Sequence, residues 1–155
     1  MFAFGSMVDD KKTYIEVSIR ELAVRFTSGG TNFMKYMLLV YLDETALSET
    51  EREHCYVESA QLAQDLSTSG KYISAGPLHP VATATSVRVR NGKRLVTDGP
   101  FAETREQLGG YYLIDARDLD EAMSIAERIP VAKHGTIEIR PVLEIKGLPA
   151  QSKIA

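Results

Sequence analysis

Asp98 stands at the head of the run Asp98-Gly99-Pro100-Phe101, and Glu103, Arg105 and Glu106 follow close behind. A carboxylate at the end of a strand can serve as a general base or orient a ligand. Pro100 fixes its own φ and biases Gly99 towards extended geometry, while Gly99 lets the backbone pass close to another group. The same aspartate also suits an Asx turn that accepts from its own loop amides. With Asp98, Glu103 could form a carboxylate pair, and Arg105 could clamp an anionic ligand. A solvated, salt-bridged loop, or a helical turn from Glu103 to Leu108, accounts for the same charges. Phe101 reads as a core or interface anchor before it reads as a stacking platform.

His79, in Gly76-Pro77-Leu78-His79-Pro80, is the histidine best placed for proton transfer, because its loop could fold towards the strand ends. His54 and Cys55 are adjacent on a predicted helix and point in different directions, which argues against a nucleophile pair. His134 precedes Gly135 at a turn. Neither His54 nor His134 neighbours a second metal ligand at helical or hairpin spacing, so zinc is not expected. No P-loop, Rossmann glycine fingerprint or nucleophile elbow occurs. Asp98 and His79 are therefore the candidate catalytic residues, and Gly76, Gly99, Phe101 and Glu103 the candidate ligand contacts. No metal and no cofactor is assigned.

The elements that must position these residues follow from pattern. Lys35 to Asp43 predicts a strand, and Ser48 with Glu51 predicts a capping box. The helix it opens should run from Glu49 to Ser69, stop at Gly70, and bury Val57, Ala60, Leu62, Ala63 and Leu66. Tyr72 to Ala75 predicts a second strand. Thr85 to Arg90 and Lys93 to Thr97 flank Asn91-Gly92, the pair that tolerates positive φ in a type I′ hairpin turn. Gly109-Gly110 marks a bulge or a tight backbone approach before the strand Tyr111 to Ala116. Asp118 and Glu121 open a second helix that carries Ala122, Ile125, Ala126 and Ile129 inward and stops at Pro130. Thr136 to Val142 is the last strand. Without the hairpin, two βαβ halves remain. The expected class is α+β, a ferredoxin-like βαβ-hairpin-βαβ fold with an antiparallel sheet.

The chain has 155 residues, 44% hydrophobic and 25% charged, with a net charge of −3. That length fits one domain with a real core. Mild acidity argues against a nucleic-acid footprint. The basic residues Arg88, Arg90, Lys93 and Arg94 need no nucleic acid, since alternation on an exposed hairpin explains them. The single cysteine, Cys55, excludes an internal disulfide and fits a reducing cytosol. The longest apolar run, Tyr36 to Leu42, is far short of the roughly 20 residues that span a bilayer. The N-terminus lacks a secretory leader, so no membrane is expected and a cytoplasmic location is the default.

Leu95 to Asp115, together with MKYMLLVY, AGPLHPVATATSVRVRNGK and DLDEAMSIAERIP, resembles the DGPF group of the YCII-related proteins from Met34 to about Pro141. The resemblance implies pairing into a dimeric α+β barrel, hence a C2 homodimer. It also implies a His–Asp pair, with the histidine on the first helix and the acid before a proline after the second. Ser59 and Ile129 occupy those positions here, so the pair is not carried over. Three function classes follow: a small-molecule binding or accessory domain with its pocket between sheet and DGPF loop, an enzyme using Asp98 on a small polar or carbonyl substrate, or a regulatory partner in an extracytoplasmic-function sigma factor system.

Nothing upstream of Met34 matches the family pattern. Thr13 to Phe26 suits an edge strand or a short helix, and Ser28 to Asn32 a flexible break. Residues 1–33 thus read as a poorly ordered extension or an overcalled start, since Gly29-Gly30 can be encoded by a purine-rich ribosome-binding sequence. Residues 34–143 read as the domain and 144–155 as a loose tail.

Overall fold

A computed structural model describes residues 33–102, 104–145 and 147–148. The expectations for 1–32 and for Glu103 lie outside the described residues. Strand β1 (Met34–Leu42), helix α1 (Glu49–Thr68) and strand β2 (Tyr72–Pro77) form the first half. A hairpin of β3 (Thr85–Arg90) and β4 (Lys93–Asp98) follows. Strand β5 (Gln107–Ala116), helix α2 (Leu119–Ala126) and strand β6 (Thr136–Pro141) complete the domain. The main sheet has the order β2-β5-β1-β6, antiparallel throughout, and β3-β4 form a separate two-stranded sheet. This is the ferredoxin-like α+β arrangement.

Strand alternation sorts the sheet into two faces. Tyr36, Leu38 and Val40 of β1 and Tyr112, Ile114 and Ala116 of β5 are buried against the helices. The helices answer with Leu62 and Leu66 of α1 and with Ala122, Ile125, Ala126 and Ile129 in and just after α2. Leu38, Leu66, Ile114 and Ile129 are fully buried, each contributing roughly 1.5–3 kcal/mol of transfer energy. Val57, expected on the inner face of α1, is 71% exposed. Only the C-terminal half of α1 seats on the core, and the N-terminal half lies over a cavity.

Local chemistry sets the element ends. Ser48 Oγ accepts from Glu51 N at 3.3 Å and Glu51 Oε2 accepts from Ser48 N at 2.8 Å, completing the capping box. At α2, Asp118 Oδ1 accepts from Glu121 N at 2.8 Å. The Glu121 carboxylate reaches one residue further back, accepting from Arg117 N at 2.7 Å. Helix α2 ends at Ala126, four residues before Pro130. Tighter turns carry the chain to Ile129, which is extended (φ −68°, ψ 123°) as the residue before a proline must be. Asn91 (φ 51°) and Gly92 (φ 72°) adopt the positive φ that the hairpin turn requires.

Strand β5 begins at Gln107, earlier than the pattern predicts, and the described residues 104–108 form no helical turn. Gln107 and Leu108 instead pair with Leu42 and Tyr41, and a register shift falls between Val40 and Tyr41, opposite Gly109. A Cβ at Gly109 would come within 2.7 Å of Leu42 Cδ2, and one at Gly110 within 3.0 Å of the Gly76 carbonyl oxygen. The glycine pair is both a bulge and a close approach.

Candidate functional site

The N-terminal half of α1 presents Arg52, Cys55, Tyr56, Ser59, Ala60 and Ala63 at helical spacing towards the sheet. Below them, Val40, Leu42, Ala75, Gly76, Gly110 and Tyr112 form a floor, and Leu47, Leu78, Pro80, Ile129 and Val131 close the sides. This partly open cavity measures about 380 Å³, within the roughly 300–1,000 Å³ typical of ligand pockets. Its walls are mainly apolar. Small residues on both walls create it: Ser59, Ala60 and Ala63 on the helix, Ala75, Gly76 and Gly110 on the strands.

Few polar groups reach this space, and most are already engaged. Tyr112 Oη donates to the Ser59 carbonyl at 3.1 Å, and burial raises the phenol's pKa despite that bond. Glu44 Oε1 accepts from Val81 N at 2.7 Å, which fixes the short 3₁₀ turn Val81–Thr83. Arg52 Nη2 donates to the Glu44 carbonyl oxygen at 2.8 Å. The Cys55 thiol is pushed up by burial and, secondarily, by the charges of Glu58 and Glu51.

Of the five described residues singled out by sequence, Gly76 alone lines this cavity. His79 is exposed, between Leu78 and Pro80, which do line it. Asp98, Gly99 and Phe101 belong to the hairpin and lie outside the cavity lining. Asp98 pairs across the hairpin with Thr85; its side chain is exposed and makes no hydrogen bond among the described residues. The loop is shaped by backbone instead. Gly99 has φ +97°, donates its N–H to Ala84 O at 2.8 Å, and accepts at its carbonyl from Ser86 Oγ at 2.9 Å. Phe101 is 76% exposed and so is not a core residue; the Arg88 guanidinium sits 4.8 Å above its ring centre.

Cross-strand register sorts the hairpin as well. Thr85, Val87, Val89, Arg94, Val96 and Asp98 share one face, and Ser86, Arg88 and Leu95 occupy the other. Arg105 reaches out of the loop to Asp43, Nε to Oδ2 at 3.4 Å. Asp43 also accepts from the hydroxyl and the amide of Thr45, and those bonds hold its pKa below the usual carboxylate range. Beside this loop the described residues Tyr41, Thr104, Glu106, Thr136 and Glu138 line a wide-open concavity. The less open cavity is the one under α1.

Sequence reasoning missed Arg52, Cys55 and Tyr56. Their signal was present as the spacing 52, 55, 56, 59, 60, 63 on one helix face, where small and polar residues stand in place of Leu and Ile. The two positions at which a His–Asp pair was expected, Ser59 and Ile129, both line the cavity. They are occupied by a hydroxyl and a hydrocarbon, neither suited to acid–base work at neutral pH. Among the described residues no group of three or more His, Cys, Asp or Glu side chains could hold a metal ion, and no helix is long and apolar enough to cross a membrane.

The model of the YCII-related domain matches residues 34–146. An uncharacterized protein of Rhizobium meliloti (strain 1021) is 42% identical over 118 residues, spanning 70% of this chain and 92% of that protein.

Proposed function

The chain belongs to the YCII-related domain family, and on that footing we propose that it binds a small molecule in the cavity between α1 and the sheet. The observation that carries this reading is the partly open, mainly apolar cavity that Ser59 and Ile129 line. Its described lining holds no histidine, and its acid, Glu44, is bonded to the Val81 amide, so the walls offer chiefly shape and dispersion contact. Binding is then favoured over turnover at this place.

A thermal-shift screen of small metabolites on wild type, Ala60→Trp and Asp98→Ala tests the reading. Ala60 is an exposed position on the cavity wall, so a larger side chain there blocks the space without disturbing the core. Stabilisation by a ligand that is lost in Ala60→Trp and retained in Asp98→Ala supports the cavity. The opposite pattern would move the ligand to the hairpin loop and revive an acid–base role for Asp98.

The protein also acts, on this reading, as a homodimer. An isolated two-stranded hairpin is marginal in water, yet β3-β4 exposes Val87, Val89 and Val96 on one face. Arg94 and Asp98 lie on that same face, so two copies related by a two-fold axis can set opposite charges together around an apolar strip. The outer face of the main sheet adds the partly exposed Met37 and Leu39. The single cysteine, Cys55, fits a cytoplasmic setting.

A further inference from the structure

We infer that the molecule held in the α1 cavity is an apolar monocarboxylate whose head group is gripped by Arg52. This inference rests on the cavity being a ligand site, and concerns what kind of molecule it takes. The guanidinium is always charged and carries five N–H donors in a planar fork. Among the described residues only one bond from that fork exists, Nη2 to the Glu44 carbonyl oxygen at 2.8 Å. Among the described residues no carboxylate stands within ion-pair distance of it, although Glu44, Glu49 and Glu53 are close in sequence.

The position of Arg52 argues against a purely structural role. It lies near the N-terminus of α1, the end of a helix where a cation is disfavoured and where Glu49 and Glu51 supply the favourable charge. It is half-buried, and it borders a partly open cavity whose other walls are mostly hydrocarbon. A cation with free, forked donors on the rim of an apolar cavity matches a ligand with one carboxylate and an apolar body. Glu44, the nearby acid on the rim, has one oxygen committed to the Val81 amide. It disfavours a second anionic group, which limits the match to a single carboxylate. Ser59 and Tyr56 add hydroxyls along the wall, so a further oxygen on the ligand is tolerated.

Calorimetric titration of the full chain with octanoate and with 1-octanol tests this. The two probes share a body and differ at the head. Wild type is expected to bind octanoate about tenfold to a hundredfold more tightly, the factor that a charge-assisted hydrogen-bonded pair supplies. Arg52→Gln should bring the two affinities to within about twofold, and Arg52→Lys, which keeps the charge without the fork, should retain part of the preference. Equal binding of both probes to wild type, abolished in Ala60→Trp, would overturn the carboxylate and leave the cavity standing as a ligand site. Binding of neither probe to wild type would overturn both. An unchanged preference in Arg52→Gln, with its circular dichroism intact, would place the head group elsewhere and refute the inference. If Arg52→Gln fails to fold, the wild-type ratio and Arg52→Lys decide.

Discussion

Lys71 Nζ lies 2.7 Å from Glu121 Oε1, joining the turn after α1 to the first turn of α2. Glu121 also accepts from the Arg117 amide at 2.7 Å and from Arg117 Nε at 3.2 Å. Its side chain is only 9% exposed. Burial disfavours the charged carboxylate, but the bonds from Lys71 and Arg117 outweigh it and hold the pKa at about 2, against an ordinary 4.5. A group depressed in the folded state stabilises above its unfolded pKa. That contribution is lost as pH falls from about 4.5 towards 2. Glu121→Gln should therefore cost on the order of 2–3 kcal/mol at pH 7 and flatten the acid limb of the stability profile. Urea unfolding at pH 7, 4.5 and 3 checks both; an equally steep acid limb in the variant would contradict the assignment.

Gly135 should be intolerant of any side chain. An added Cβ would collide with the Tyr41 carbonyl oxygen and press on Leu42, and backbone cannot yield as a flexible side chain can. Gly135→Ala should lose about 3 kcal/mol, at the upper end of overpacking costs. Gly70→Ala, at φ +72° with open space around it, should lose only about 1 kcal/mol. Chemical denaturation of the two variants side by side checks the difference.

The proposed homodimer predicts a charge-sensitive hairpin. Val96→Lys puts a cation into the exposed valine strip, where two copies would bring like charges together. Sedimentation velocity should show the wild type as a dimer and the variant shifted to monomer. Its thermal stability should also become less dependent on protein concentration. A wild-type monomer at tens of micromolar would end the proposal.

Cys55 gives a direct readout of the cavity. Because burial raises its pKa, maleimide labelling should be slow at neutral pH and rise at a higher pH than for an unperturbed thiol. A ligand in the cavity should slow labelling further, since Cys55 lines the space. Labelling at the rate of a free thiol, unaffected by any stabilising ligand, would contradict the placement.

Local chemistry made most of the fold legible in advance. Ser48 and Glu51 announce a helix start through reciprocal bonds, and Asn91-Gly92 a hairpin turn, because each depends on neighbours in sequence. The site was less legible for a physical reason. Asp98, Gly99 and Phe101 draw notice by their turn chemistry, and that chemistry is satisfied within the hairpin, by Gly99 bonding to Ala84 and Ser86. The cavity arises where β5 and α1 face each other across long sequence separation, and no local pattern encodes an empty space. Arg52 and Ser59 come to the cavity because Val57 points outward, 71% exposed, and the helix seats on its other face.

The glycine-lined floor of the cavity has an evolutionary consequence. A Cβ at Gly110 would press on the Gly76 carbonyl, and one at Gly109 would meet Leu42, so neither position can accept a methyl group without moving a strand. That wall is frozen by the fold itself. Ser59, Ala60 and Ala63 on α1 carry no such restriction within the sheet. A lineage that needs to recognise a different molecule must therefore rewrite the helix and leave the sheet untouched, with one wall serving as anvil and the other as the exchangeable die.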